Sequence, residues 1–259
     1  MEPIISIEKL SLRYDQDGQK ITILKDLTLN IMPGEFLCLV GPSGVGKSTL
    51  LRVLMDLVPP SSGSVTIREC GSQLANMALV FQEPRLLPWR RIAANAAFGL
   101  ERLGLTRRER EKRVAEALRF FGVAALARRF PHQLSGGQRQ RVALARALAV
   151  EPAILLMDEP FSALDVATRE GLQEEIARLA YEKGKTIVFV THDIDEAVYL
   201  GDRVVALGGQ PGEVKAAVPI NIPRPRSRQD RGLIDYAAQI KAGLMAQSDP
   251  RENWAICSD

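Results

Sequence analysis

Apolar and polar residues alternate along the first part of the chain. Between residues 3 and 40 the apolar positions recur every second residue, first from Ile5 to Leu12 and again from Ile23 to Ile31. A period of two is typical of strands that bury one face. The pattern therefore predicts strands joined by a turn at Asp-Gln-Asp-Gly, residues 15–18.

A continuous apolar run, Phe36–Val40, follows, as expected of a strand buried on both faces. A glycine-rich loop comes next, and a helix is predicted from residue 47 to residue 57, before two prolines. Further short runs predict strands at residues 64–67, 77–81, 153–157, 186–191 and 203–207. A helix is predicted at residues 166–181, so strands and helices alternate, which indicates a parallel sheet.

The pattern turns helical between about residues 92 and 150, with three-to-four spacing at residues 107–121 and 138–149. We therefore predict a sheet domain that is interrupted by a helical insertion. After Gly208 the chain is rich in proline and arginine, and one further helix is predicted near residues 233–245.

Composition changes this picture little. The chain has 259 residues, of which 46% are hydrophobic and 25% charged, with a net charge of +3, so we expect no nucleic-acid partner. Two basic clusters, residues 107–113 and 224–231, are interpreted as a solvated helix face and a solvated tail. The cysteines Cys38, Cys70 and Cys257 show no metal-ligand spacing, so buried thiols in a reducing compartment are expected.

No secretion signal is recognised at the N-terminus. The longest apolar runs are far shorter than the roughly 18 residues that span a bilayer, so we expect a soluble, cytoplasmic chain.

A phosphate-binding motif follows the buried strand. Its form is G-x-x-x-x-G-K-[ST], and its residues are Gly41, Pro42, Ser43, Gly44, Val45, Gly46, Lys47, Ser48 and Thr49. Glycines let successive N–H groups point at phosphate oxygens, and the helix N-terminus adds positive potential. We expect Lys47 to reach the β- and γ-phosphates and Ser48 to ligate Mg²⁺. The motif alone leaves kinases, GTPases, helicases and transport ATPases open.

Two adjacent acids, Asp158 and Glu159, follow the apolar run at residues 153–157. The carboxyl ends of parallel strands form the crevice where such sheets bind ligands. We expect Asp158 to hold the Mg²⁺ shell through water, and Glu159 to activate or orient the attacking water.

A second anion-seeking helix start lies about 90 residues after the first. Leu134 and Ser135 precede Gly136, Gly137 and Gln138, and Ser135 is suited to cap the helix. One nucleotide is not easily wrapped by both helix ends of one subunit. A symmetric pair of subunits, each offering this segment to the nucleotide of the other, resolves the difficulty.

The segment Leu134–Gln138 resembles the signature motif of ATP-binding-cassette (ABC) ATPases. In the same order, Gln82 resembles the Q-loop glutamine, residues 162–165 (Ser-Ala-Leu-Asp) the D-loop, His192 the switch histidine, and Tyr14 the aromatic residue that stacks on adenine. The resemblance covers residues 4–210. It implies a RecA-like P-loop NTPase core with a parallel sheet, an N-terminal antiparallel β subdomain and an inserted α-helical subdomain.

The resemblance also implies boundaries. The ABC ATPase domain would span residues 1–208, with the β subdomain and P-loop core at 1–81, the helical insertion at about 82–151 and the core continued at 152–208. Residues 209–259 would form a C-terminal tail.

Roles for individual residues follow from the resemblance. Two cassettes would clamp two ATP molecules head to tail, with Ser135, Gly136, Gly137, Gln138 and Asp165 facing the partner's nucleotide. Gln82 would join Ser48 at Mg²⁺, and His192 would contact the γ-phosphate and hold Glu159 with its water. The implied catalytic residues are Lys47, Glu159 and His192.

Residues 82–100 follow Gln82 and contain Leu86, Leu87 and Trp89. Trp and Arg are enriched at interface hot spots. The resemblance implies that this region receives the coupling helix of the membrane subunit; the alternative is that Trp89 packs inside the helical insertion. Residues 87–90 and 222–226 resemble the importers of nitrate, taurine and aliphatic sulfonates. That subfamily more often has Met at position 138 and Gly at position 162.

The family therefore implies an ATPase that drives solute import through separate permease chains, with an external solute-binding protein, at the cytoplasmic face of the bacterial inner membrane. Alternatives are a soluble ABC ATPase of DNA repair or the ribosome, and a regulatory cassette that does not hydrolyse ATP. A repair ATPase would need a long coiled coil, and a ribosome-associated ATPase would need a second cassette. The intact Lys47, Glu159 and His192 argue against a cassette that does not hydrolyse ATP.

Overall fold

A computed structural model describes residues 2–16, 19–68 and 77–245. Within these ranges the chain forms two compact units. The first unit comprises residues up to Ile31, Phe36–Ile67 and the chain from Val190 onward, and the second comprises Met32–Glu35 and Arg68–Phe189. In chain order the strands and helices are β1 Ile5–Gln16, β2 Gln19–Ile31, β3 Phe36–Val40, α1 Lys47–Leu54, β4 Ser62–Ile67, β5 Met77–Val80, α2 Ile92–Ala96, α3 Arg107–Phe120, α4 Gly136–Ala149, β6 Ile154–Asp158, α5 Val166–Lys183, β7 Thr186–Thr191, α6 Ile194–Leu200, β8 Arg203–Gly208, β9 Glu213–Pro219 and α7 Arg231–Met245.

The first unit contains an antiparallel sheet with strand order β2-β1-β4. Its core side chains follow the predicted alternation, since Ile5, Ile7, Leu10 and Leu12 of β1 are all buried. Two residues of the predicted turn, Asp17 and Gly18, lie outside the described residues.

The same unit holds β3, every residue of which is buried, as the continuous apolar run predicted. Strand β8 pairs with β3 in parallel, and β9 pairs with β8 in antiparallel fashion. Helices α6 and α7 pack against these strands and against each other. Cys38 is fully buried, which confirms the expectation of a buried thiol, and this burial raises the pKa of the thiol well above its usual value. Cys70 and Cys257 lie outside the described residues.

In the second unit β5 pairs in parallel with β6, and the strand order continues to β7. Helices α2, α3 and α4 pack together, and α4 also packs on β5. These helices form the predicted helical insertion. The chain is thus an α/β protein with an antiparallel N-terminal sheet, as predicted, and its second sheet is mixed because β9 pairs antiparallel with β8 beside the predicted parallel strands.

Three local predictions need correction. Helix α1 ends at Leu54 and not at residue 57, because Met55 leaves the helix and Asp56 has a positive φ of 55°. The prolines at 59 and 60 prevent the helix from extending past them, but they do not determine where it ends. Helix α6 and strand β9 were not predicted; both are short, with 7 residues each, so their periodicity was too brief to recognise.

The interpretation of the second basic cluster as a solvated tail is wrong for two of its arginines. The Arg226 guanidinium donates to the carbonyls of Val198, Tyr199 and Gly201 at the end of α6, at 2.8, 3.1 and 2.7 Å, and to those of Ile220 and Ile222. Arg224 donates to the Leu200 carbonyl and to Asp202. Helix C-terminal carbonyls lack intrahelical partners, so these arginines cap α6.

Among the described helices, none combines the length and the apolar character needed to cross a membrane.

Candidate active site

The phosphate loop lies in the first unit, between β3 and α1. Lys47 is only 4% exposed, and its ammonium group donates to the carbonyls of Gly41, at 2.8 Å, and Pro42, at 3.0 Å. The positive charge is therefore folded back over the loop. Pro42, Ser43 and Gly44 at its mouth are exposed, and a Cβ built on Gly44 would meet no atom within 4 Å.

Gly46 is one position where the loop requires glycine. Its φ is +105°, in the left-handed region, and a Cβ there would lie 2.6 Å from Leu24 Cδ2 of β2. A second support comes from the turn after β8: the N–H of Gly212 donates to the Ile23 carbonyl and its carbonyl accepts from Lys25. Gly212 also backs onto Val45, since a Cβ on Gly212 would lie 2.1 Å from the Val45 carbonyl. Sequence reasoning missed this support, because residue 212 is far from the motif in the chain.

Tyr14 and His192 also belong to the first unit. Tyr14 lies near the end of β1, opposite Ile21 of β2, and its side chain is exposed. His192 is exposed directly after β7, and the chain is anchored on both sides of it. The N–H of Asp193 donates to the Thr191 hydroxyl, and the Asp193 carboxylate caps α6 by accepting from the N–H groups of Asp195 and Glu196.

The acidic pair lies in the second unit, with Asp158 as the last residue of β6 and Glu159 directly after it. Glu159 has a φ of +43°, an uncommon conformation for a residue with a side chain. Its carbonyl accepts from the Ser162 hydroxyl at 3.1 Å, and that hydroxyl accepts from the Gln82 amide at 3.1 Å. The structure thus brings Gln82 next to the turn that holds Glu159.

The signature segment begins α4, and its first residues form a reciprocal cap. The Ser135 hydroxyl accepts from the Gln138 N–H, and the Gln138 side chain accepts from the Ser135 N–H. Ser135 and Gly136 are exposed, and a Cβ on Gly136 would meet nothing within 4 Å, so the helix end is open. The capping role predicted for Ser135 is confirmed.

The D-loop lies beside this helix end. A Cβ on Gly137 would lie 2.6 Å from the Thr168 methyl group, so glycine permits the close approach of α4 to α5. Asp165 caps α5 by accepting from the Thr168 N–H at 3.0 Å. Hydrogen bonds from Thr168 lower the pKa of Asp165, so this exposed carboxylate stays ionised.

Helix α4 also holds the loop that follows Gln82. Arg146 donates to the carbonyls of Pro84 and Arg85, both at 2.8 Å, and burial lowers its pKa. Gln140 donates to the Phe81 carbonyl, and buried Asn95 bonds to both the N–H and the carbonyl of Leu87. Sequence reasoning assigned none of these a holding role. In the sequence, the only indication of such a role was that each is a polar residue within a helical pattern.

The residues present fit a magnesium nucleotide. The loop carries a buried cation and an open mouth, as a phosphate site requires. Ser48, Gln82 and Asp158 offer only oxygen ligands, which Mg²⁺ prefers. In the described part of the chain no three His, Cys, Asp or Glu side chains cluster as a metal site. Mg²⁺ is typically held by one or two carboxylates together with substrate phosphates.

Comparisons with known proteins point to one family. A family model described as ABC transporter matches residues 24–162. An aliphatic sulfonates import ATP-binding protein, SsuB 1 of Xanthomonas axonopodis, is 49% identical over 80% of this chain and 83% of its own. The taurine import ATP-binding protein TauB of Pseudomonas entomophila is 40% identical over 96% of this chain and 92% of its own.

A solved structure has the same fold. The dimeric post-hydrolysis state of the ATP-binding cassette MJ0796, bound to ADP and Pi, is similar with a TM-score of 0.75 and 35% identity, covering 85% of this chain and 100% of that one. The family match spans more than half of the chain and contains the phosphate loop, the signature segment and the acidic pair. The chain therefore belongs to the ABC transporter family, as an ATP-binding cassette subunit that hydrolyses ATP.

Proposed function

We propose that this cassette powers the import of a small solute through a separate membrane permease that works with an external solute-binding protein. The observation that carries the proposal is the 49% and 40% identity to two import ATP-binding proteins over most of their length. Nitrate, a sulfonate, taurine or a similar small solute is the proposed cargo. The described helices between the phosphate loop and the signature have at most 14 residues, so nothing favours the coiled-coil type of repair ATPase.

Hydrolysis is assigned to Lys47, Glu159 and His192. The Lys47 ammonium, released from the loop carbonyls, would bind the β- and γ-phosphates of ATP. Glu159 would take the proton of the attacking water, and His192 would hold the γ-phosphate and the water in place. Ser48, Gln82 and, through water, Asp158 would hold Mg²⁺, which neutralises charge on the phosphates. Tyr14 would stack on the adenine.

The proposed working form is a head-to-tail homodimer. The support is the open helix end at Ser135 and Gly136, which offers free N–H groups and positive potential to an anion from outside the subunit. Asp165 lies beside it, with Gly137 packed on Thr168 between the two. The similar solved cassette is dimeric.

A permease-docking surface is proposed around Trp89, at the cytoplasmic face of the inner membrane. Trp89 is 73% exposed, so the alternative that it packs inside the helical insertion is wrong. The loop beneath it is firmly held, because Asn95 bonds to Leu87, Arg90 and Arg91. An exposed aromatic side chain on a rigid loop is suited to act as an interface anchor.

The first test is Mg²⁺-dependent ATP hydrolysis by the purified protein as a function of its concentration. We expect activity to rise more than linearly with protein, because two subunits complete each site. Glu159→Gln is expected to abolish hydrolysis while ATP still binds. Activity per molecule that is independent of concentration, together with wild-type hydrolysis by Glu159→Gln, would contradict both the composite site and the catalytic assignment.

The import function has its own test. Cells that lack this chain should lose growth on the transported solute as a nutrient source, with taurine or an alkanesulfonate supplying sulfur and nitrate supplying nitrogen in parallel cultures. The wild-type chain should restore growth on one of them and Glu159→Gln should not. Unimpaired growth of the deletion strain on all of them would exclude these cargoes.

A further inference from the structure

The turn after β6 holds Glu159 in a conformation that its backbone does not favour. A left-handed φ is unfavourable for a residue with a side chain and persists only where neighbouring groups impose it. Here Ser162 supplies two such groups. Its N–H donates to the Glu159 carbonyl at 3.3 Å, and its hydroxyl donates to the same oxygen at 3.1 Å.

The hydroxyl has a second partner. The Gln82 amide nitrogen donates to Ser162 Oγ at 3.1 Å. A serine hydroxyl carries one hydrogen and two lone pairs. Because that hydrogen points to the Glu159 carbonyl, Oγ is left only as an acceptor toward Gln82.

This decides the orientation of the Gln82 amide. Only its NH₂ group is able to face Ser162, so its carbonyl oxygen, Oε1, is turned away. Oε1 is the only atom of that side chain that is able to ligate a hard cation such as Mg²⁺. The serine hydroxyl therefore selects the amide orientation in which NH₂, and not the metal-binding atom Oε1, is bonded to Ser162.

We propose that the Ser162 hydroxyl is a positioning group that links Gln82 to Glu159: it fixes the backbone of the catalytic acid and orients the metal-sensing amide. The inference rests on the roles assigned to Gln82 and Glu159 under the proposed function. No contact with the substrate is assigned to Ser162. Its contribution passes through the two residues that it holds, which lie 80 and 3 positions away in the chain.

Ser162→Ala removes the hydroxyl, and Ser162→Thr retains it. A hydrogen bond contributes about 0.5–1.5 kcal/mol, so each lost bond corresponds to about a two- to tenfold effect. For Ser162→Ala we expect kcat to fall about two- to tenfold and the Mg²⁺ concentration for half-maximal activity to rise by a similar factor. The KM for ATP should stay the same, because the phosphate loop is untouched. Ser162→Thr should restore kcat and the Mg²⁺ dependence, and Ser227→Ala, at an exposed serine, serves as the matched control.

A measurement without turnover isolates the metal effect. Mn²⁺ binding to the protein loaded with a non-hydrolysable ATP analogue is followed by loss of the free-ion electron paramagnetic resonance signal. Ser162→Ala should weaken Mn²⁺ binding about two- to tenfold. Gln82→Ala with Ser162→Ala should bind Mn²⁺ no more weakly than Gln82→Ala alone, because the serine acts through the amide.

Three results would overturn the proposal that Ser162 positions Gln82 and Glu159. Wild-type kcat and Mn²⁺ affinity in a folded Ser162→Ala variant, with unchanged thermal unfolding, would overturn the proposal. Fully additive losses of Mn²⁺ affinity in the double variant, or failure of Ser162→Thr to restore activity, would do the same. Failure of the underlying site assignment is recognised separately, because Glu159→Gln would then hydrolyse ATP at the wild-type rate whatever Ser162 does.

Discussion

Two arginine-rich segments of similar composition have opposite environments. On α3, residues 107–113 form a charged face in which Arg107 pairs with Glu111 one turn later, and both side chains are well exposed. After β9, Arg224 and Arg226 turn inward to the end of α6, although their neighbours Arg228 and Arg231 are exposed. Arginine content alone does not show whether an arginine is solvated or structural. That depends on which backbone carbonyls lie within hydrogen-bonding distance of its guanidinium group.

The difference follows from what each guanidinium meets. Arg107 meets a flexible carboxylate in water, where ion pairs contribute little. Arg226 meets fixed helix-end carbonyls that have few other donors, and its planar fork serves several at once. Burial, reinforced by repulsion from Arg224, lowers the pKa of Arg226 to about 10, which still leaves the side chain charged at neutral pH.

The largest expected effect is that of Arg226→Ala. It leaves the carbonyls at the end of α6 without this donor, and each unsatisfied buried group costs about 1–3 kcal/mol. We expect the free energy of unfolding in urea to fall by about 3 kcal/mol. Arg108→Ala, at an exposed arginine of the other segment, is the matched control and should stay within about 0.5 kcal/mol of the wild type. An equal loss of unfolding free energy in the two variants would show that the arginines of the two segments contribute equally to stability.

A smaller effect is expected for Arg224→Ala. Arg224 bonds to Asp202 Oδ1 at 2.8 Å, while Asp202 Oδ2 still accepts from the Phe36 N–H at the start of β3. Because Asp202 retains that partner, we expect a loss of about 1–2 kcal/mol in the same urea experiment. A loss greater than that of Arg226→Ala would show that Arg224, which also donates to the Leu200 carbonyl, contributes more than Arg226 to holding the end of α6.

The smallest effect concerns the cap that begins α3. Hydrogen bonds from the hydroxyl and backbone of Thr106 lower the pKa of Glu109 below its usual 4.5. A lowered folded-state pKa means that the stabilisation is present above pH 4.5 and is lost as the pH falls through the lowered value. Glu109→Gln should therefore lower Tm slightly at pH 7, and the difference in Tm should vanish toward pH 3. A difference that is the same at both pH values would assign the effect to side-chain shape and not to charge.

Much of the site was predictable because its motifs are local. The loop at 41–49, the acids after β6 and the capped helix at Ser135 each depend on residues within a few positions of one another. The resemblance then supplied the order of Gln82, the D-loop and His192. The roles proposed for these residues remain predictions, which the hydrolysis experiments test.

The holding contacts were not predictable, because they join residues that are distant in the chain. Arg146 reaches Pro84, 62 positions away, and the Gln82–Ser162 bond spans 80 positions. Asn95 and Gln140 showed only as polar residues within helical patterns, and nothing local indicates which carbonyl each one meets.

The sequence by itself determined most of the elements, though not α6 and β9, together with the phosphate loop and the family, because backbone periodicity, glycine conformations and helix caps are set by near neighbours. Only the tertiary structure decided which arginines are solvated, which loop α4 holds and which way the Gln82 amide points. A long polar side chain takes its direction from the donors and acceptors that packing brings within about 3 Å of it, and those come from other parts of the chain.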